Sequence, residues 1–209
     1  MMKKIVLIGG GGHAKVLIDL IKSLKAYKVM GLLDPALRIG ELIAEIPVLG
    51  NDKLLSELYK KGVRDACIAI GSIKDNSKRK DVYFRVKKEG FSVPFLIHPK
   101  ATVSGSSRIS DSVQIMAGAV IQTDCSIGEN AIINTGAIVD HDCYIGSCVH
   151  ICPGAVISGG CNISEGAFIG AGATIIHGIK IGKNAIVAAG AVVINDVPDN
   201  SMVKGIPAI

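Results

Sequence analysis

From residue 101 to residue 196 the chain can be written in sixes, and the third residue of every six is Ile or Val. The series opens with Val103, Ile109 and Ile115 and closes with Ile181, Val187 and Val193, sixteen repeats without an exception. Chance would give such a run with a probability on the order of 10⁻⁸. The first position of each six is small or modest: Ala, Ser, Cys or Val, with one Ile. A sustained period of six is the mark of a solenoid. Each six supplies a short strand and a turn, its β-branched residue points into a shared core, and its small residue fits beside the corner. Successive coils are expected about 4.8 Å apart, the spacing of hydrogen-bonded strands.

Residues 1 to 98 have a different rhythm. "KKIVLIGG" reads as an apolar strand, and "GHAKVLIDLIKSLKAY" as a helix with Val16, Leu17, Leu20, Ile21 and Leu24 on one face. "KVMGLLD" is a second strand. "NDKLLSELYKKG" is a helix with Asn51 or Asp52 as its cap and Gly62 at its end, and "RDACIAIG" is a third strand. A basic helix over 76–89 and the strand "SVPFLI" complete the half. Strands alternating with helices predict a small, Rossmann-like parallel sheet covered on both faces, with about four strands. The chain therefore reads as an α/β protein of two domains, residues 1–98 and 99–209.

Composition narrows the function. Of 209 residues, 49% are apolar, enough for a sizeable core, and no apolar run approaches the roughly 20 residues of a membrane helix. The six cysteines lack a secretory framework and no leader pattern opens the chain, so a cytoplasmic protein with reduced thiols is expected. A net charge of +5 without a basic block, and no tryptophan among few aromatics, argue against nucleic acid.

The repeat resembles that of the hexapeptide-repeat acyltransferases, whose fold is a left-handed parallel β-helix, a triangular prism with three sixes, hence eighteen residues, per coil. On that coil length Cys125, Cys143 and Cys161 stack inside the prism as small core residues. Cys148 and Cys152 fall in or beside turns on other edges. A closed zinc site needs four ligands converging at about 2.0–2.3 Å, so no metal is expected. His141 falls in a corner turn, beside Asp142, which can orient the imidazole and favour its protonated form; Asp140 offers a second acid. His150 lies half a coil further on and points from another side. If both histidines serve one site, a second subunit must supply His150, which argues for a symmetric oligomer. Gly159 and His177 follow His141 at one and two coils: the glycine leaves room for a slender ligand arm, and His177 is expected on the surface.

"GGGGHAK" joins the first strand to the first helix, where backbone N–H groups of Gly11, Gly12 and His13 face an anion. Gly9, Gly11 and Ala14 fit G-x-G-x-x-A with Asp34 at the end of the second strand, but a tight turn needs glycine without any ligand. NAD is disfavoured, because the solenoid stands where a second dinucleotide half would be.

The glycine turn with His13, "LLDP", "IAIGS", "HP" at 98–99, "INTGAIVDHDC" and the closing "GIPA" together resemble the bacterial sugar acetyltransferases. That group includes UDP-4-amino-sugar N-acetyltransferases and sialic acid O-acetyltransferase-like proteins. The resemblance implies a nucleotide-sugar held by Gly11, Gly12, His13, Asp34 and Gly71, with Pro35 standing where many relatives carry a second acid. It implies His141 as base with Asp142, and acetyl-CoA contacts at His150, Gly159, Ala171 and Ala189. The expected reaction is acetyl transfer from acetyl-CoA to the amine of a nucleotide-linked sugar, in a homotrimer with interfacial sites. The rival readings are O-acetylation of sialic acid or a related sugar, and a non-catalytic nucleotide-sugar-binding scaffold.

Overall fold

The structure, a computed structural model, describes residues 2–72 and 76–209. The chain divides into one unit of Met1–Gly71 with Lys78–Leu96 and another of Ser72–Ser77 with Ile97–Ile209.

The first unit is a sheet with helices on its faces. Its elements in chain order are β1 (Lys3–Ile8), α1 (Gly12–Leu24), β2 (Tyr27–Leu33), β3 (Leu42–Ile43), β4 (Ile46–Gly50), α2 (Leu55–Lys60), β5 (Asp65–Ile68) and α3 (Ser77–Lys88). The strand order is β3-β4-β2-β1-β5, with only β3 and β4 antiparallel. Val6 and Ile8 of β1 pack with Leu55 of α2 and with Val82, Tyr83 and Val86 of α3; Ile5 and Leu7, alternating with them, are buried on the opposite side. Helix α1 buries Ala14, Leu17, Ile18, Leu20 and Ile21. Val16 is 45% exposed, so the apolar stripe lies one position round the helix from the expected one. Asn51 caps the 3₁₀ turn before α2 through its side chain, which accepts from Lys53 N.

Two expectations for this half are corrected. The sheet has five strands, because β3 and β4 form a hairpin through Ala44 and Glu45, both with positive φ (47° and 71°). "SVPFLI" is not a strand of this sheet: Ser92 makes a single bridge to Asp65, and Pro94 has no N–H to extend the ladder.

The second unit is a parallel β-helix. Every six from Thr102 to Val193 forms a two-residue strand ending on its third-position Ile or Val, and each strand pairs in parallel with those eighteen residues away. Together with Leu96–Ile97 and Met202–Val203, these strands build sheets of six, five and seven. From Val113 onward the first- and third-position side chains fill one continuous core. The sixth position of fourteen successive sixes, Ser112 to Gly190, has positive φ; glycine, Asn or Asp holds most of these corners. The last coil is shorter. Val197 bridges Ile181 and Val203 pairs with Val187, a step of sixteen residues, and the Asp196 and Asp199 carboxylates accept from Lys180 N and Lys183 N where the coil departs from the repeat.

Candidate active site

His141 and Asp142 occupy the fifth and sixth positions of one six, and the corner determines their geometry. Asp142 sits at φ +58°, the left-handed conformation that the sixth position demands and that Asp tolerates. Its N–H donates to Thr123 O in the preceding coil, and the carbonyl of His141 accepts from Gly160 N in the next. The chain reversal turns the carboxylate back onto the imidazole, and His141 Nδ1 lies 2.8 Å from Asp142 Oδ2. Asp140 Oδ1 accepts from His141 N at 2.8 Å and pins the corner from the other side. With Nδ1–H engaged by the carboxylate, Nε2 is left as the proton-accepting nitrogen. The hydrogen bond that Asp142 accepts from the ring, followed by the charge of Asp140, holds the His141 pKa above the usual histidine value.

Gly159 lies directly beneath the ring. A Cβ there would come within 2.6 Å of His141 Cε1 and Nε2, so the room left by this glycine is filled by the imidazole itself. His177, one coil further, is exposed, with its ring centroid 6.2 Å from that of His141.

His150 stands on a strand and is 5% exposed. Its Nδ1 is 3.0 Å from Ser72 Oγ, its Nε2 is 3.1 Å from Asn134 Nδ2, and its ring meets Phe168 edge to face. It lines a cavity of about 460 Å³ together with Cys152, Phe168, Ala171, Ala189 and Met202. His150, Ala171 and Ala189 are thus brought together, whereas Gly159 sits with His141. Ser72, which sequence reasoning missed, belongs to no repeat.

Cys125, Cys143 and Cys161 are buried in the column expected of them. Their thiols donate to Asp140 O, Ser158 O and Ile176 O, each a fourth-position carbonyl of the following coil. Burial raises the Cys125 pKa, and the Cys161 thiol together with burial raises that of Cys143. Cys148 takes a left-handed corner, and burial pushes Cys152 up to about 12. No disulfide joins the six cysteines, and among the described residues no group of three His, Cys, Asp or Glu side chains could hold a metal ion.

In the first unit Gly11, Gly12, His13, Asp34 and Gly71 gather at the carboxyl ends of the strands. Gly9 N donates to Leu33 O, and Ala69 N to Ile8 O. Asp34 fastens the turn, with Oδ2 accepting from Gly10 N and Oδ1 from Ala36 N. A Cβ at Gly10 would fall 2.3 Å from Leu37 Cδ1 and would displace that side chain. Gly11 and Gly12, by contrast, open onto free space. Gly71 approaches the Cβ of His13, where an added Cβ would be 3.3 Å away. Strand β1 is flanked by β2 and β5, so these residues sit at the switch point where open α/β sheets bind ligands.

A Rossmann-like unit joined to a β-helix whose corner carries a histidine–aspartate pair defines a hexapeptide-repeat acyltransferase. Residues 4–86 match the model of the PglD N-terminal domain, and residues 106–141 and 160–195 that of the bacterial transferase hexapeptide (six repeats). The chain is similar to PerB from Caulobacter crescentus, solved in complex with CoA and GDP-perosamine, at 40% identity over 100% of this chain and 97% of that one, with a TM-score of 0.92. It is also similar to the acetyltransferase domain of PglB from Neisseria gonorrhoeae FA1090, solved in complex with acetyl coenzyme A, at 37% identity over 100% and 99% of the two chains, with a TM-score of 0.92. A curated relative, the UDP-N-acetylbacillosamine N-acetyltransferase of Bacillus subtilis (strain 168), is 39% identical over 116 residues, 56% of this chain and 52% of its own length. The match thus spans about half of that curated relative. The chain belongs to the hexapeptide-repeat sugar acetyltransferase family, and its solenoid is a left-handed parallel β-helix. Among the described residues no helix is long and apolar enough to cross a membrane.

Proposed function

We propose that the protein transfers the acetyl group of acetyl-CoA to the amino group of a nucleotide-linked sugar, with His141 as the general base. The sugar we favour is a 4-amino-4,6-dideoxyhexose. The observation that carries this reading is the His141–Asp142 pair, set on an exposed corner with Nε2 free to accept a proton. The neutral amine attacks the thioester carbonyl, its proton passes to His141 Nε2, the C–S bond breaks, and the proton then leaves with the CoA thiol. Asp142 stabilises the imidazolium between those steps.

The apolar cavity containing His150, Ala171 and Ala189 has the volume and lining for the slender arm of the acyl donor. Gly11, Gly12, His13, Asp34 and Gly71 are assigned to the nucleotide-sugar. Exposed backbone N–H groups at the start of α1 suit its diphosphate. Relatives support the substrate class: one is solved with GDP-perosamine, and another is named for a UDP-linked bacillosamine. The C. crescentus enzyme has also been solved with a histidine replaced by alanine or asparagine and both CoA and GDP-perosamine bound. Such complexes fit a histidine that serves the chemical step rather than the holding of the ligands. We assign the assembly as a homotrimer, because a triangular prism offers flat faces that a threefold axis would cover.

The test is an acceptor screen with acetyl-CoA, read by mass spectrometry, over UDP- and GDP-linked 4-amino sugars, UDP-sugars without an amine, and free sialic acids. A mass gain confined to amine-bearing nucleotide-sugars is expected. Acetylation of the sialic acids instead would move the enzyme to hydroxyl acceptors, and no transfer to any acceptor would favour a binding scaffold.

A further inference from the structure

The hydrogen bonds around His150 have a direction that their distances alone do not show. Asn134 Oδ1 accepts from Thr135 N at 2.8 Å, which fixes the amide with its Nδ2 toward the ring. Nδ2 therefore donates to His150 Nε2, and that nitrogen must be unprotonated. A neutral imidazole with a bare Nε2 carries its proton on Nδ1, which donates to Ser72 Oγ at 3.0 Å. The chain of donation runs from Asn134 through His150 to Ser72, and it leaves the serine O–H directed away from the ring. Ser72 lines the same apolar cavity, with Cys152, Phe168, Ile186 and Met202 as apolar neighbours. A hydroxyl whose oxygen already accepts an N–H bond is polarised toward donating its own proton.

We propose that Ser72 donates this hydrogen bond to an amide carbonyl oxygen of the acyl donor's arm, and that His150 and Asn134 are positioning residues that fix the direction of the bond. The inference rests on the reading of the cavity as the acyl-donor site. It adds a specificity device, in which the Ser72 hydroxyl, in a slot lined mostly by apolar side chains, selects a chain that bears a carbonyl at that depth. His150 acts here as a neutral relay, distinct from His141, which takes up and gives back a proton.

Steady-state kinetics of Ser72→Ala, Ser72→Thr and Ala189→Met, with calorimetric titration of CoA, test the assignment. Loss of one neutral hydrogen bond should raise the KM for acetyl-CoA about three- to tenfold in Ser72→Ala, with kcat within about twofold and the sugar KM unmoved. Ser72→Thr, which keeps the hydroxyl, should restore most of the affinity. Ala189→Met fills the cavity and should abolish CoA binding. If Ala189→Met abolishes binding while Ser72→Ala leaves the acetyl-CoA KM unchanged, the Ser72 donor is refuted and the cavity assignment stands. If neither variant alters acetyl-CoA use, the cavity is not the donor site and both readings fall. A parallel loss of kcat, both KM values and melting temperature in Ser72→Ala, unrelieved by threonine, would make the serine a structural tie and overturn the proposal.

Discussion

Replacing Gly159 by alanine separates the catalytic geometry from the stability of the solenoid. The new Cβ would stand 2.6 Å from His141 Cε1 and Nε2 and 3.1 Å from Cδ2. Ordinary carbon contacts begin near 3.5 Å, so the ring must retreat by about 1 Å. The backbone at Gly159 does not have positive φ, and the three atoms nearest the new Cβ all belong to the exposed imidazole. The coil therefore has no reason to move, and the ring swings off its 2.8 Å bond to Asp142. The unfolding free energy should change by less than about 1 kcal/mol. A misplacement of about 1 Å at a catalytic group can cost on the order of 10²-fold in rate, and kcat should fall by that order. Gly128→Ala is the internal control. Its Cβ would meet backbone, Ser147 N at 2.6 Å and Gly146 C at 2.7 Å, so the next coil must shift, at a cost of about 1–3 kcal/mol. The assays are thermal or urea unfolding together with steady-state acetyl transfer. Wild-type turnover in Gly159→Ala, or a fall in its stability matching that of Gly128→Ala, would refute the reasoning.

Other consequences can be measured alongside. In the role proposed for it His141 acts when deprotonated, so kcat/KM should rise with pH through its raised pKa; Asp142→Asn removes the largest support of the imidazolium, so the midpoint moves to lower pH while the plateau drops, as a pH–rate profile would show. Ile157→Ala, at a fully buried third position between Val139 and Ile175, should destabilise the β-helix by about 2–5 kcal/mol in urea unfolding. Iodoacetamide at pH 8 should leave Cys67 unlabelled in the native protein and label it in urea, because burial pushes this thiol up to about 12.

The β-helix was legible because its core makes the same demand every six residues, and Ile or Val meets it sixteen times. The His141–Asp142 corner was legible for a related reason: the repeat places His141 outside the core, and an acid at the next, left-handed position turns back onto it. Features that depart from the repeat left weaker marks. Ala44 and Glu45 hold positive φ without the glycine or asparagine that signals a hairpin. The sixteen-residue final coil replaces the regular spacing with aspartate carboxylates that accept from backbone N–H groups. The place of Ser72 beside His150 joins residues 78 apart in sequence, and no local pattern encodes it. For Gly159 the period gave the right corner but not its occupant, because only the side-chain rotamer of His141 shows that the ring fills the space.

The most direct test of the account is single-turnover acetyl transfer by His141→Ala with saturating acetyl-CoA and amino-sugar nucleotide, run beside calorimetric binding of each ligand. The variant should fold and bind both ligands as the wild type does, with the chemical step slowed by about 10²- to 10⁴-fold. Transfer at the wild-type rate by a variant that lacks the imidazole would contradict the assignment of His141 as the base.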